Sequence, residues 1–238
     1  MSEEPMPTAI VTVKRFSRAK SRLMDAGALT KPERAALLKA MLTDTLRTLQ
    51  AAGCIERTVL VTGEGRAERL AMDLIRRSPK KERRPLEVMQ EPEDLGHSGA
   101  ATVGIVRALS LGAPSVILLP GDAPLVTVAE LEAIRDALHV ETDASGRVVV
   151  VPDRAGTGTN ALAMTPADAI GPAFGPDSRA AHLRKAADRG MEATVLDLPG
   201  LAHDLDTPED LALLAEKLAE DPGLAPETAA VVPTLAGA

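Results

Sequence analysis

The chain has 238 residues, of which 45% are hydrophobic and 26% charged, and its formal net charge at pH 7 is −7. A pI of about 5.2 argues against a general polyanion-binding surface, and an aromatic content of 1% leaves almost no side chains to stack on nucleic-acid bases. These values disfavour nucleic-acid binding but allow a local basic pocket for a small phosphorylated ligand.

The cysteine content and the first residues bear on the compartment. Cys54 is the only cysteine, which excludes an internal disulfide framework and a cysteine zinc site and suits a reducing environment. The first residues, MSEEPMPT, are acidic and lack the apolar core of a secretory signal, and no run of about 18 apolar residues occurs. We therefore expect a cytoplasmic protein that does not bind membranes.

Apolar runs typical of strands alternate with segments of helical period from Thr8 onward. This alternation predicts an α/β fold in which a mostly parallel, mixed central sheet is flanked by helices. The predicted strands are Thr8–Val13, Thr58–Val61, Leu86–Met89, Ser115–Leu119, Val148–Val151, Asn160–Met164 and Ala193–Asp197. The predicted helices are Lys31–Ala51, Arg66–Arg76, Ser98–Leu109, Thr127–Leu138, Ser178–Arg189 and Thr207–Ala219.

The same pattern predicts one domain over residues 8–219, with an N-terminal extension over 1–7 and a tail over 220–238. Thr30 and Thr207 are predicted helix N-caps, because each precedes a proline and acidic residues. The tail is rich in Ala and Pro and has no clear period, which predicts a mobile or loosely docked segment.

A basic loop follows the first predicted strand. Its five cations are Lys14, Arg15, Arg18, Lys20 and Arg22. Ligands of open α/β sheets bind at the carboxyl edge of the strands, which is where this loop should emerge. The cations could neutralise a triphosphate there, or they could form an ordinary solvated loop.

An aspartate stands at the end of another buried strand. Asp122 follows the apolar run that ends at Pro120. A carboxylate in this position can bind Mg²⁺, which prefers one or two carboxylates together with phosphate oxygens and water. Aspartate is also a common turn former, so the residue taken singly fits either role.

Two segments predict an anion site. In the first, a run of four valines leads to closely spaced small and polar residues, Thr157, Gly158, Thr159 and Asn160. Glycine beyond a buried strand lets backbone N–H groups approach a ligand that a Cβ would keep away. In the second, Phe174–Ser178, the start of a helix can bind an anion through Ser178 and free N–H groups, and ordinary capping is the competing account.

A pair of carboxylates, Asp204 and Asp206, precedes the last predicted helix. On an extended segment their side chains point the same way, which suits a shared cation. Helix capping around Thr207 is the competing role for this acidic cluster. An anion cradle together with carboxylates indicates metal-assisted phosphate chemistry.

The four histidines carry no metal-ligand spacing. His139 and His182 are predicted to be surface or packing residues, and His97 and His203 lie near the loops described above without an assigned catalytic role.

Taken together, these motifs resemble those of the CofC/FbiD guanylyltransferases of coenzyme F420 biosynthesis, which belong to the GT-A-like nucleotidyltransferases. The resemblance runs from about Thr8 to Leu214. The matching motifs are V-K-x-x-x-R-A-K-S-R-L from Val13, P-x-D-x-P-L from Pro120, P-D-R-x-G-T-G-T-N-A-L from Pro152, F-G-x-x-S from Phe174 and D-x-D-T-P-x-D-L from Asp204. The implied fold is a single α/β domain like those of the nucleotide-diphospho-sugar transferases.

The resemblance also implies a reaction. The phosphate of a three-carbon phospho-acid would attack the α-phosphate of GTP and release pyrophosphate, with Mg²⁺ as the cofactor. The implied acceptors are phosphoenolpyruvate, 2-phospho-L-lactate and 3-phospho-D-glycerate, and no residue separates them. The product would pass to a deazaflavin transferase. Independently of the reaction, an apolar face on a late helix could pair subunits into a homo-oligomer.

Roles for individual residues follow from the same resemblance. The residues expected to bind the nucleotide are Lys14, Lys20, Arg22, Gly96 and His97, of which Lys20 and Arg22 share the catalytic role with Asp122. The metal would be held by Asp122, Asp206 and Asp204. The acceptor would be held by Thr157, Gly158, Thr159, Asn160, Gly175 and Ser178. His97 stands where the family usually has asparagine, which leaves recognition of the base and ribose open.

Two alternatives remain at this point. One is another GT-A-like nucleotidyltransferase, of the molybdopterin guanylyl- or cytidylyltransferase type. The other is a catalytically silent nucleotide-binding protein.

Overall fold

A seven-stranded mixed sheet lies at the centre of the molecule. The computed structural model describes residues 5–13, 29–77, 83–91, 95–203 and 205–235, and structural statements below refer to these ranges. The strands are β1 (Thr8–Val13), β2 (Arg57–Thr62), β3 (Leu86–Gln90), β4 (Val116–Pro120), β5 (Arg147–Pro152), β6 (Thr159–Thr165) and β7 (Glu192–Val195). Their order across the sheet is β3-β2-β1-β4-β6-β5-β7.

Helices cover both faces of this sheet. They are α1 (Lys31–Ala51), α2 (Gly65–Arg77), α3 (Gly96–Ser110), α4 (Val128–His139), α5 (Ser178–Asp188), α6 (Pro208–Glu220) and α7 (Pro226–Leu235). The predicted α/β fold class and the predicted elements are confirmed, with bounds that differ by at most two residues at either end. Among the described residues, no helix is both long and apolar enough to cross a membrane.

Six of the described strands run in one direction and β6 runs in the other. β1 pairs in parallel with β2 and β4, and β6 pairs antiparallel with β4 and β5. The carboxyl ends of β1, β4 and β5 therefore share one edge of the sheet with the start of β6. The turn after β4 and the loop between β5 and β6, both of which the sequence singled out for ligand binding, lie at this edge.

Each central strand is buried on both faces. In β1, Val11 packs into the layer that contains α1, α4 and α6, whereas the preceding residue, Ile10, packs into the layer that contains α3 and α5. In β5, Val149 and Val150 divide between the layers in the same way. This two-sided burial explains why the strands read as unbroken apolar runs rather than as alternating patterns.

Three helices begin with a capping box. The N-cap threonines of α1, α4 and α6 are Thr30, Thr127 and Thr207, and each accepts a hydrogen bond from the backbone of an acidic residue three positions later. That acidic side chain in turn binds the backbone N–H of the threonine. The predicted caps at Thr30 and Thr207 are confirmed.

The expectation of a mobile or loosely docked tail is wrong for residues up to Leu235. A short 3₁₀ turn, Pro222–Leu224, leads into α7, which packs against α1 and α6. Asp44 of α1 is 3% exposed, and its carboxylate accepts hydrogen bonds from the N–H groups of Glu227 and Thr228 at 3.2 and 2.8 Å and from the Thr228 hydroxyl at 2.7 Å. The start of α7 is therefore capped by a side chain from α1.

We expect Asp44→Ala to lower the free energy of unfolding by about 2 to 3 kcal/mol, because it leaves the donors at the start of α7 without an acceptor. Urea denaturation checks this value. Glu227→Gln is the matched control, because Glu227 pairs with Arg47 at 2.6 Å between side chains that are 46% and 43% exposed. That pair should contribute less than about 0.5 kcal/mol. Equal losses in the two variants would show that Asp44 does not hold α7.

Candidate active site

The candidate site lies at the carboxyl edge of the sheet. Four of its expected residues, Lys14, Lys20, Arg22 and Asp204, lie outside the described residues. Their roles stay predictions. The described part of the site consists of the turn after β4, the loop between β5 and β6, the starts of α3 and α5, and the segment before α6.

The turn after β4 places Asp122 beside the end of β1. The N–H of Gly121 donates to the carbonyl of Thr12 at 3.1 Å. A Cβ on Gly121 would lie 2.4 Å from Cγ2 of Val13, so only glycine fits this close approach without movement of the Val13 side chain. Asp122 follows directly and is half-buried.

The segment before α6 is fixed by Asp210, which is 3% exposed. One oxygen of its carboxylate accepts hydrogen bonds from the N–H of Asp206 at 3.1 Å and from the N–H and hydroxyl of Thr207 at 2.9 Å each. The other oxygen pairs with the guanidinium of Arg154, which follows β5. Asp206 is therefore held close to the end of β5.

Burial alone would raise the pKa of the Asp210 carboxyl. The hydrogen bonds from Thr207 and Asp206 and the charge of Arg154 outweigh burial and hold that pKa below its ordinary value. Asp210 is thus ionised at neutral pH and serves as a permanent acceptor for the segment that carries Asp206.

Asp122 and Asp206 lie at the same edge of the sheet, since Asp122 follows β4, Asp206 is tied to the end of β5, and only β6 separates β4 from β5. In the ranges that the structure describes, no group of three or more His, Cys, Asp or Glu side chains is arranged to hold a metal ion. A pair of carboxylates nevertheless fits Mg²⁺, which binds through one or two carboxylates and keeps its other positions for phosphate oxygens and water.

The loop between β5 and β6 packs against the first turn of α5. The N–H of Arg179 donates to the carbonyl of Thr157 at 3.1 Å, and the Arg179 guanidinium donates to the carbonyl of Gly156 at 3.0 Å. Asp153 holds the loop from the other side by accepting from the N–H of Thr157 at 3.0 Å. A Cβ on Gly158 would lie 2.4 Å from a carboxylate oxygen of Asp153.

Left-handed backbone brings Ser178 to the same place. Gly175 has φ = 137° and Asp177 has φ = 53°, and the N–H of Ser178 donates to the carbonyl of Gly175 at 3.2 Å. Ser178 begins α5 and is 1% exposed. Thr157, Gly175 and Ser178, predicted from separate motifs, therefore meet at the N-terminus of one helix, where the positive end of the helix dipole favours an anion.

His182 links this helix to the start of β6. It is fully buried, its Nε2 accepts from the N–H of Ala173 at 2.9 Å, and its Nδ1 lies 3.0 Å from the hydroxyl oxygen of Thr159. Burial lowers the pKa of His182 to about 4, and the charge of Lys185 acts in the same direction. The sequence predicted a surface or packing residue, and nothing in its spacing indicated hydrogen bonds to residues 23 and 9 positions away.

The start of α3 is joined to the same cluster. Nε2 of His97 lies 3.1 Å from the hydroxyl of Thr12, at the end of β1. The imidazole of His97 packs on the ring of Phe174 with centroids 4.3 Å apart, and Phe174 also meets the edge of His182 at 5.3 Å. The N–H of Phe174 donates to the hydroxyl of Ser98 at 2.9 Å. His97 therefore lies between the end of β1 and the residues at the start of α5.

Two further polar residues at this edge, Asn160 and His203, are buried. The Asn160 side chain donates to the carbonyl of Leu201 at 2.9 Å and is 9% exposed, so it ties β6 to the segment that leads to α6. His203 is 5% exposed, and its burial lowers the pKa of the imidazole. The role of Asn160 in acceptor binding stays a prediction.

The fold of this chain is shared with solved structures of nucleotidyltransferases. Among the solved structures that it resembles are a nucleotidyl transferase from Methanothermobacter thermautotroptrophicus and 4-diphosphocytidyl-2C-methyl-D-erythritol synthase from Anaerococcus prevotii. The first has a TM-score of 0.60 and 16% identity and covers 91% of this chain and 99% of its own. The second has a TM-score of 0.59 and 12% identity and covers 90% of this chain and 96% of its own. The chain has a nucleotidyltransferase fold.

Comparison with related sequences identifies the family to which the chain belongs. The family model described as guanylyl transferase CofC like matches residues 7–215. Phosphoenolpyruvate guanylyltransferase from Conexibacter woesei is 37% identical over 222 residues, which is 92% of each chain. 3-Phospho-D-glycerate guanylyltransferase from Phenylobacterium zucineum is 35% identical over 214 residues, which is 88% of this chain and 90% of that protein. The chain belongs to the CofC-like guanylyltransferase family and is an enzyme of nucleotidyl transfer, as the motifs predicted.

Proposed function

We propose that this enzyme transfers the guanylyl group of GTP to a three-carbon phospho-acid, with Mg²⁺ as cofactor, in coenzyme F420 biosynthesis. The observation that carries the proposal is the meeting of Thr157, Gly175 and Ser178 at the N-terminus of α5, at the same sheet edge as Asp122. An anion site and a carboxylate site at one edge suit a reaction between two phosphorylated substrates. The names of the relatives, one acting on phosphoenolpyruvate and one on 3-phospho-D-glycerate, support this acceptor class.

The chemical step is a substitution at phosphorus. A phosphate oxygen of the acceptor forms a bond to the α-phosphorus of GTP, and the bond from that phosphorus to the oxygen bridging to the β-phosphate breaks. The electron pair of the broken bond leaves with pyrophosphate. The attacking phosphate is already ionised at neutral pH, so no side chain has to remove a proton, and positioning and charge neutralisation are what the protein supplies.

The chain has residues that could position the two substrates and neutralise their charge. Asp122 and Asp206 would hold Mg²⁺, which when bound neutralises charge on the phosphates of GTP. Lys14, Lys20 and Arg22 would neutralise the remaining phosphate charge, and Gly96 and His97 would border the nucleotide. Thr157, Gly158, Thr159, Gly175 and Ser178 would seat the acceptor, with Asn160 bracing the start of β6.

The pathway and the compartment belong to the same proposal. The guanosine diphospho-linked acid contains a phosphoanhydride bond, and its expected consumer is a transferase that breaks this bond, moves the phospho-acid unit onto a deazaflavin precursor and releases GMP. The single cysteine is buried, which agrees with function in the reducing cytoplasm.

The test is to incubate the enzyme and Mg²⁺ with each of the four common nucleoside triphosphates and each of the three candidate phospho-acids. Pyrophosphate release and the mass of the product are measured. We expect pyrophosphate only when GTP and a phospho-acid are both present, and a product that contains both. Molybdopterin is included as a further acceptor, and pyrophosphate release with molybdopterin but with none of the phospho-acids would favour the molybdopterin-type alternative. Binding of GTP without pyrophosphate release with any acceptor would favour a silent nucleotide-binding protein.

A further inference from the structure

His182 has hydrogen-bonding partners on both ring nitrogens, and one of them fixes the position of the proton. The N–H of Ala173 donates to Nε2 at 2.9 Å. A backbone N–H can only donate, so Nε2 must carry a lone pair and the imidazole must be neutral with its proton on Nδ1. The low pKa of the fully buried ring agrees with this state.

The fixed proton determines the direction of the next hydrogen bond. Nδ1 of His182 lies 3.0 Å from the hydroxyl oxygen of Thr159. Because Nδ1 carries the proton, the ring donates and the hydroxyl oxygen accepts. The hydroxyl proton of Thr159 must then point away from His182, and within the described residues the hydroxyl makes no second hydrogen bond.

Thr159 lies beside the residues that are proposed to hold the phospho-acid, so its hydroxyl proton can reach that substrate. It is half-buried at the start of β6, two residues after Thr157, whose carbonyl is bound by the N–H of Arg179 in the first turn of α5. His182 lies on the same helix, one turn after Ser178. The oriented hydroxyl is thus part of the cluster in which Thr157, Gly175 and Ser178 meet.

We propose that His182 is a positioning residue for binding of the phospho-acid: its Nδ1–H directs the proton of the Thr159 hydroxyl toward an anionic oxygen of that substrate. The inference rests on the proposed function. It adds a specificity rule to it: because Nδ1–H of His182 occupies one lone pair of the hydroxyl oxygen, the hydroxyl proton is directed away from His182 and favours an ionised carboxylate or phosphate oxygen over a group that itself carries a proton.

Four variants test the rule. Thr159→Val removes the hydroxyl at nearly constant volume, and Thr159→Ser keeps it. His182→Asn can place an amide N–H near the position of Nδ1 and so still donate to Thr159, whereas His182→Gln can accept from Ala173 near the position of Nε2 but leaves Thr159 without its donor. The chain thus offers one conservative and one disruptive change at each of the two positions.

We expect Thr159→Val and His182→Gln to lower kcat/KM for the phospho-acid about 10- to 100-fold, the loss that corresponds to one hydrogen bond to a charged group. The KM for GTP should change less than about twofold. Thr159→Ser and His182→Asn should recover most of the loss. The double variant Thr159→Val with His182→Gln should be no worse than Thr159→Val alone, because both changes remove the same hydrogen bond.

A purely structural role for His182 predicts a different pattern. The losses of the two single variants would then multiply in the double variant, and the KM for GTP would rise together with that for the phospho-acid. Either result would overturn the inference while leaving the proposed function intact. Failure of the wild-type enzyme to join GTP to any phospho-acid would overturn the proposed function and this inference with it.

A second measurement does not depend on activity or on the folding of a variant. Nitrogen NMR of the wild-type enzyme labelled in histidine, with the His182 signals assigned by comparison with His182→Asn or by through-bond correlation, reports which ring nitrogen carries the proton. We expect protonated Nδ1 and unprotonated Nε2 between about pH 6 and about pH 8. A proton on Nε2 in that range would overturn the inference.

Discussion

Asp122→Asn is expected to lower the rate of guanylyl transfer by at least about 100-fold, while the thermal unfolding midpoint stays close to that of the wild type. The half-buried carboxylate stands directly after β4, at the edge where the substrates are proposed to meet, and the amide that replaces it lacks the charge that would hold Mg²⁺. Initial rates at saturating GTP and phosphoenolpyruvate, measured over a range of Mg²⁺ concentrations, provide the comparison. Asp206→Asn should behave in the same way.

The control for this prediction is Asp143→Asn. Asp143 is exposed in the loop that enters β5, at the opposite edge of the sheet, so the same chemical change there should leave the rate within about twofold of the wild type. Turnover by Asp122→Asn within a few-fold of the wild-type rate would show that this carboxylate does not hold the metal.

Asp210→Ala is expected to lower the free energy of unfolding by about 3 kcal/mol and to reduce transfer as well. The change removes the acceptor of three hydrogen bonds at the start of α6, one of which comes from the N–H of Asp206. The loss of the cap destabilises α6, and the release of Asp206 disturbs the proposed metal site. Urea denaturation and initial rates measure the two effects separately.

Two further variants separate the contribution of the helix cap from that of the ion pair between Asp210 and Arg154. Asp210→Asn keeps one oxygen acceptor and should lose less stability than Asp210→Ala. Arg154→Ala should cost less than about 1 kcal/mol, because the Arg154 side chain is 56% exposed. If Arg154→Ala were as unstable as Asp210→Ala, the ion pair rather than the helix cap would hold this segment.

The lowered pKa of Asp210 also predicts how the free energy of unfolding changes with pH. The pKa of Asp210 is lowered in the folded state, so the unfolded chain binds the proton more readily than the folded one. The contribution of Asp210 is therefore present at neutral pH and is lost as the pH falls through the folded-state pKa. Asp210→Asn should flatten this part of the stability profile.

The elements of this fold were predictable because their signals are local. Buried parallel strands read as apolar runs, and Thr30 and Thr207 mark helix starts through a threonine followed by proline and an acid. The reversal of β6 was also within reach, since only residues 153–158 separate it from β5 and a parallel crossover needs a dozen or more.

The features that were missed depend on contacts between distant parts of the chain. Asp44 caps α7 across a separation of 184 residues, and no period in the tail reveals an acceptor on another helix. His182 lies among small and charged residues of α5, and its partners Thr159 and Ala173 follow from the placement of that helix and not from its sequence. The residues Thr157, Gly175 and Ser178 were singled out because their motifs carry glycine and hydroxyl side chains of the kind found near bound anions, and their role in acceptor binding stays a prediction.

Transfer of label from GTP tests the central claim most directly. GTP labelled in its α-phosphate and GTP labelled in its γ-phosphate are each incubated with the enzyme, Mg²⁺ and phosphoenolpyruvate, and the products are separated. The account predicts that α-label appears in a conjugate with the acid and that γ-label appears only in pyrophosphate. Transfer of γ-label to the acid, or α-label found only in GMP or GDP, would contradict it.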